Sequence, residues 1–313
     1  MNKNEVSKAI GETFWDSVLE DAQKFGSSGD GINYGSIPVS DDGAKSAGTL
    51  VGVPERLMDE LSPKLKVDVL KHLFEKTDKA PKALVRKNEI FKFIRGGTTL
   101  LQPKIVLDVV SKSIGKEIEF DRAYAGDKVV EIYCTGPKQA AVAVGDPVQY
   151  GVYVAFSPFG YYQPDVTSYL KHLACTNGML STKNLATFRK QRGDGNADSI
   201  YDWLEGSVIS AYEAADEEME RLKELKKHKL NGNRDIAIEH ILQTVPASLR
   251  DGIREEIANS SRKIETMYDL YYIVTYFASH RLNRPSNIRT LMFLSGNIPD
   301  HLDMCPTCHR DLI

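Results

Sequence analysis

The sequence predicts an α+β fold, and three observations carry that prediction. Runs rich in β-branched and aromatic residues crowd into residues 83 to 157. Stretches with helical spacing precede them and dominate after them. Strands and helices are segregated along the chain instead of alternating, as a doubly wound sheet would require. The expected segments are a helical N-terminal region over 1–80 with a flexible Gly/Ser-rich arm at 26–48, a β-rich core over 81–182, a helical region over 183–296, and a cysteine-containing tail over 297–313.

Residues 5 to 24 place Val6, Ile10, Phe14, Trp15 and Val18 near one face, which predicts a helix. Gly26 to Gly48 reads as a linker, or as an arm that orders on a neighbouring subunit or ligand. Leu57, Leu61, Leu65, Val69, Leu70 and Leu73 form the apolar stripe of a helical stretch over 53–76. Residues 83 to 95 alternate like a strand pair, with Lys87-Asn88 as the hairpin turn. Pro103 and Gly115 bound a helix. Strands are expected at 117–123, 128–134, 140–144 and 148–157, with a turn at Gly145-Asp146-Pro147.

Asp165 starts a short expected helix, 165–174, and Asn177-Gly178 then turns the chain out of it, because both residues tolerate positive φ. A long helix spans 197–229, with an acidic middle (Asp216, Glu217, Glu218) read as a solvated face. Helices follow at about 234–260, 265–283 and 285–294. Residues 267–280 are aromatic all round, which points to core, to an internal polar network, or to a subunit interface.

The 313 residues are 42% hydrophobic and 27% charged with a net charge of −3, which excludes a globally basic nucleic-acid coat but not a local basic face. Four cysteines in this length argue against a disulfide scaffold, and neither a membrane-length apolar run nor a signal-peptide core is present, so a reducing, cytoplasmic setting is expected. Phosphate-loop, dinucleotide, His-Glu-x-x-His and Gly-x-Ser-x-Gly patterns are all absent. Asp127, Lys128 and Glu131 do not make a nuclease core, because alternation separates Lys128 from Glu131, and they read as surface charge.

Three constellations remain. Cys175 sits beside Thr176, Asn177 and Gly178 with His172 nearby; core packing of the thiol outweighs a nucleophilic role. Cys305 and Cys308 are spaced as zinc ligands, with His301 or His309, and His280 as a further candidate, to complete the set. A reduced exposed pair, or ligation shared between subunits, fits the same spacing. The segment with Lys183, Phe188, Arg189, Lys190 and Arg192 interleaves cations with an aromatic, and Arg86, Lys87, Lys92 and Arg95 extend that character onto the strand pair. Such a surface can track a backbone and stack a base, although many basic clusters are plain solvated faces.

The blocks Gly151-Val-Tyr-Val-x-Phe-Ser with Gly160, Tyr169-Leu-Lys-x-Leu-x-Cys-Thr-Asn-Gly-Met179, and Met267-Tyr-Asp-Leu-Tyr-x4-Tyr-x3-His280 resemble the phage- and plasmid-borne family known as domain of unknown function 932, over about residues 83 to 295. That family usually carries a basic residue and a histidine after the Cys-Thr-Asn-Gly block. Here Phe188-Arg189-Lys190 lacks the histidine, and the Cys-x2-Cys tail is no part of the family pattern. The resemblance implies a mobile-element origin near replication and recombination genes, and it carries over no catalytic residue. Together with the basic segment it gives the expected function: a non-enzymatic, homo-oligomeric protein that binds single-stranded nucleic acid. A structural or interaction protein, such as a virion component or an inhibitor of host defence, is the alternative.

Overall fold

The computed structural model describes residues 5–6, 15–20, 23–28, 31–77, 81–126, 128–143, 145–173, 177–180, 185–187, 197–230 and 234–299. The chain is α+β and forms two compact units. One comprises Gly11–Gln102 together with Pro158–Tyr161; the other comprises Met1–Ile10, Pro103–Ser157 and Tyr162–Ile313.

The first unit contains β1 (Ser17–Leu19), β2 (Phe25–Ser28), β3 (Gly31–Tyr34), β4 (Ile37–Val39), α1 (Asp41–Leu50), α2 (Glu55–Glu60), α3 (Pro63–Phe74), β5 (Lys82–Arg86) and β6 (Glu89–Ile94). Its sheet runs β1-β5-β6-β4-β3-β2, antiparallel except where β4 meets β6. Lys87 and Asn88, at φ 50° and 62°, make the left-handed turn of the β5–β6 hairpin, as expected.

The stretch expected to be a flexible arm is instead β2, β3, β4 and most of α1, and it supplies Ile32, Tyr34, Val39, Ala44 and Ala47 to the core. Its small residues serve close approach. A Cβ on Gly43 would overlap the Ile90 carbonyl oxygen, so only glycine lets α1 lie this near β6. Ser40 caps α1 by accepting from the Gly43 amide at 3.0 Å, and its hydroxyl donates to the Ile90 carbonyl at 3.1 Å. Ser46 accepts from the Phe93 amide at 2.8 Å. Phe25, Tyr34, Phe74 and Phe93 then fill the core with mostly edge-on ring contacts at 4.8 to 5.8 Å. The helix expected over 5–24 is also corrected at Ser17–Leu19, where pairing with β5 makes an edge strand.

The second unit contains α4 (Pro103–Ile114), β7 (Glu119–Ala125), β8 (Val130–Ala143), β9 (Asp146–Phe156), β10 (Asp165–His172), β11 (Gly178–Leu180) and β12 (Ala186–Thr187). The helices α5 (Ala197–Glu213), α6 (Ala215–Lys227), α7 (Arg234–Thr244), α8 (Ala247–Asn259), α9 (Met267–His280) and α10 (Pro285–Gly296) follow. The strands form an antiparallel meander, β11-β10-β9-β8-β7, with β12 also paired to β10. α5 covers β9 and β10, α6 covers β8, and α9 joins α6, α8, α10 and β11.

The helix expected at 165–174 is strand β10, in register with β9 from Asp165–Ala155 to His172–Val148. Val166, Thr167, Ser168, Tyr169 and Leu170 are all buried, so the strand lies between two covered faces and shows no period-two alternation to betray it. The long helix expected over 197–229 breaks at Ala214, and the next breaks at Pro246. Within the acidic stretch Asp216 and Glu217 are exposed, but Glu218 is buried and paired with Arg221 at 2.7 Å. Among the described residues no helix is long and apolar enough to cross a membrane.

Gly43→Ala should lower the urea midpoint by the equivalent of about 1–3 kcal/mol, because the new methyl meets backbone that cannot yield. Gly206→Ala, on an exposed face of α5 with nothing within 4 Å of the new Cβ, should instead be neutral or stabilising. Equal losses for the two variants would refute the close-approach account.

Candidate functional site

Of the residues singled out in the sequence, Lys183, Phe188, Arg189, Lys190, Arg192, Cys175, His301, Cys305, Cys308 and His309 lie outside the described residues. Among those described, no group of three or more His, Cys, Asp and Glu side chains is placed to hold a metal ion. His280 instead contacts the Asn177 side-chain oxygen at 3.1 Å through Nε2. Cys134 is buried, and burial pushes its thiol well above the ordinary range, the reverse of an activated nucleophile.

Arg86, which the sequence placed on a basic surface, belongs to a cation–aromatic strip in the first unit. The strip begins with an irregularity in the β5–β6 pair: Val85 faces Ile90, whereas Leu84 faces Lys92, so Phe91 is an extra residue. The bulge lets Ile90 and Phe93, three positions apart, both join the core with Ala83 and Val85. The Arg86 guanidinium lies 4.4 Å from the Phe91 ring centroid. The Lys92 ammonium lies 4.5 Å from the Phe159 centroid and 5.3 Å from that of Tyr161. Phe159 also meets Trp15 at 5.5 Å, Phe91 at 6.3 Å and Tyr161 at 6.4 Å. Phe159 is buried, while Tyr161 is 52% exposed. Arg95 is exposed at the end of β6, and its carbonyl accepts from the Thr98 amide at 2.9 Å. Sequence reasoning reached Arg86, Lys92 and Arg95 and missed Phe91, Phe159 and Tyr161. Phe159 and Tyr161 lie about 70 residues further along the chain, which no local pattern could reveal.

The Asn177-Gly178 joint opens into β11 and closes a β10–β11 hairpin; it does not end a helix. Gly178 has no positive φ. Gly178 is needed for space, because a Cβ there would overlap the Tyr169 ring. Asn177 is buried: its carbonyl accepts from the His172 amide at 2.8 Å and its side-chain nitrogen donates to the Tyr272 carbonyl at 3.5 Å.

His172, also buried, contacts Asp146 at 3.1 Å through Nδ1 and the Tyr271 hydroxyl at 3.1 Å through Nε2. Tyr268 donates to the other Asp146 oxygen. The pattern fits an Nδ1-protonated imidazole donating to Asp146 while Nε2 accepts from Tyr271. It has the order of an acid–base relay. With His172, Tyr268 and Tyr271 wholly buried, however, its effect is to fasten β9 and β10 to α9. Burial works to raise the Asp146 carboxyl, but the His172 and Tyr268 hydrogen bonds outweigh it and hold Asp146 below the usual range.

Glu131, read from sequence as surface charge, is buried in β8. Arg289 of α10 donates to it at 2.7 Å and the Tyr133 hydroxyl at 3.4 Å. Burial raises its carboxyl despite the Arg289 charge.

Two pH effects of opposite sign follow. Asp146 has a folded pKa below its unfolded value of 3.8, so its contribution is present above 3.8 and is lost as pH falls through the folded value. Asp146→Asn should therefore melt lower at neutral pH but show a shallower acid decline. Glu131 has a folded pKa above 4.5, so its contribution is present below 4.5 and is lost as pH rises through the folded value. Glu131→Gln should be near neutral at pH 7, whereas Arg289→Met, which strands a buried carboxylate, should cost about 3 kcal/mol. Thermal melts across pH read all three variants, and a Glu131→Gln loss as large as that of Arg289→Met would contradict the burial account. Comparison of the chain with family models, with curated proteins and with solved structures gives no match.

Proposed function

We propose that the protein binds single-stranded nucleic acid and acts without catalysis, as a phage-type accessory of recombination or replication. The observation that carries the reading is the strip in which Arg86 and Lys92 lie over Phe91, Phe159 and Tyr161. Proteins that hold single strands combine cations for the backbone with aromatic faces for the bases, and this strip joins both in one place. The basic segment Lys183 to Arg192 supports the same reading from sequence, as does the resemblance to a mobile-element family. With a net charge of −3, attraction must come from local groups and not from the field of the whole protein.

Fluorescence anisotropy with a labelled oligodeoxythymidine strand at low salt tests the reading. Binding should weaken as salt rises. Lys92→Ala and Arg86→Ala should each weaken it, by about 5- to 10-fold, while the fold is retained with a stability loss of about 1 kcal/mol at most, the size of a cation–aromatic contact. Absence of binding at low salt, or full affinity in both variants, would reject the proposal.

A further inference from the structure

Resting on the nucleic-acid reading above, we infer that Pro158–Tyr161, in the connection between β9 and β10, is the base-contacting element. An unpaired base stacks on the Tyr161 ring, and Gly160 is the positioning residue that aims it. Phe159 cannot receive a base: it is buried, with Trp15, Phe91 and Tyr161 within 6.4 Å and the Lys92 ammonium above it. Tyr161 is 52% exposed and stands nearly perpendicular to Phe159, at 84°. Phe159 therefore anchors the segment and Tyr161 presents a ring to solvent.

The geometry between them depends on Gly160. Its φ is +70°, a conformation side-chain-bearing residues adopt reluctantly, and a Cβ there would overlap the Thr98 methyl. The facing loop is pinned, because the Leu101 amide donates to the Pro158 carbonyl at 3.2 Å and the Thr98 amide to the Arg95 carbonyl at 2.9 Å.

The charge balance of the strip favours a base over a bare phosphate backbone. Even if both ring-held cations, Arg86 and Lys92, each met a phosphate, the salt slope would reach only about −1.4 for a single strand. That is too little for tight binding, so stacking must supply the remainder. Stacking on one aromatic is worth about 5- to 150-fold in affinity. In a duplex the base faces are already occupied, so the ligand is a strand with unpaired bases.

The test uses the full chain and three labelled ligands: an oligodeoxythymidine strand, a strand of abasic spacers with the same number of phosphates, and a hairpin duplex. The thymidine strand should bind at least 5-fold tighter than the abasic strand. Tyr161→Ala should erase that difference and Tyr161→Phe should keep it. Gly160→Ala should behave like Tyr161→Ala, and adding Thr98→Ser, which removes the methyl the new Cβ meets, should restore part of the preference. The double variant also serves if Gly160→Ala alone folds poorly. Equal binding of thymidine and abasic strands, or an undiminished preference in Tyr161→Ala, overturns the stacking inference while leaving the nucleic-acid reading in place. An undiminished preference in a folded Gly160→Ala removes Gly160 from its role. Absence of binding to any strand fails the function itself.

Discussion

Strands covered on both faces leave no solvent for their polar side chains, and the larger unit is arranged around that constraint. β9 and β10 are buried along almost their whole length, yet they and β8 carry Glu131, Asp146 and His172. A buried polar group without a partner costs about 1–3 kcal/mol, and a charged one more. The helices supply the partners. Tyr268 and Tyr271 of α9 answer Asp146 and His172, and Arg289 of α10 answers Glu131. α9 itself begins at a capping box in which Thr266 and Asp269 bond reciprocally, with Arg262 holding Asp269 at 2.9 Å. An aromatic helix that is buried over most of its surface is thus also the polar closure of the sheet.

The same requirement accounts for the Cys-Thr-Asn-Gly joint, as far as it is described. Asn177 bonds in three directions, to the His172 amide, the Tyr272 carbonyl and the His280 ring. The His172 bond uses the Asn177 backbone carbonyl, and the short amide side chain supplies the other two as donor and acceptor; an aliphatic residue would lose both side-chain bonds to α9. The cluster that looks most reactive in sequence is therefore architectural at Asn177 and Gly178.

The sequence made the segregation of strands and helices legible, together with the Lys87-Asn88 hairpin, the helix from Pro103, and the buried character of 267–280, because each has a local chemical signature. Three other features were hidden for identifiable reasons. β10 lacks alternation because both of its faces are covered, so its spacing mimics a helix. The glycines and serines of 26–48 signal flexibility in isolation, but Gly43, Ser40 and Ser46 serve contact with β6, which arrives some 50 residues later in the chain. The extra residue at Phe91 cannot be read from composition, and without it strict alternation would put Ile90 and Phe93 on opposite faces. The strip was half visible: its cations were evident, and its distant rings were not.

That half matters for how such a surface would work. A lysine ammonium in water is mobile, and fixing it on a ligand costs side-chain entropy. Lys92 is already held over Phe159 and Tyr161, and Arg86 over Phe91, so part of that ordering is complete before a ligand arrives. A lone phosphate that drew Lys92 off its rings would forfeit a cation–aromatic contact worth about 0.5–1 kcal/mol. A nucleotide need not force that exchange. On the proposed function its phosphate would meet the ammonium while its base meets the exposed Tyr161 ring, with the cation still over its aromatic neighbours. On the proposed function, the strip would favour a ligand that brings charge and a flat ring together over one that brings charge alone.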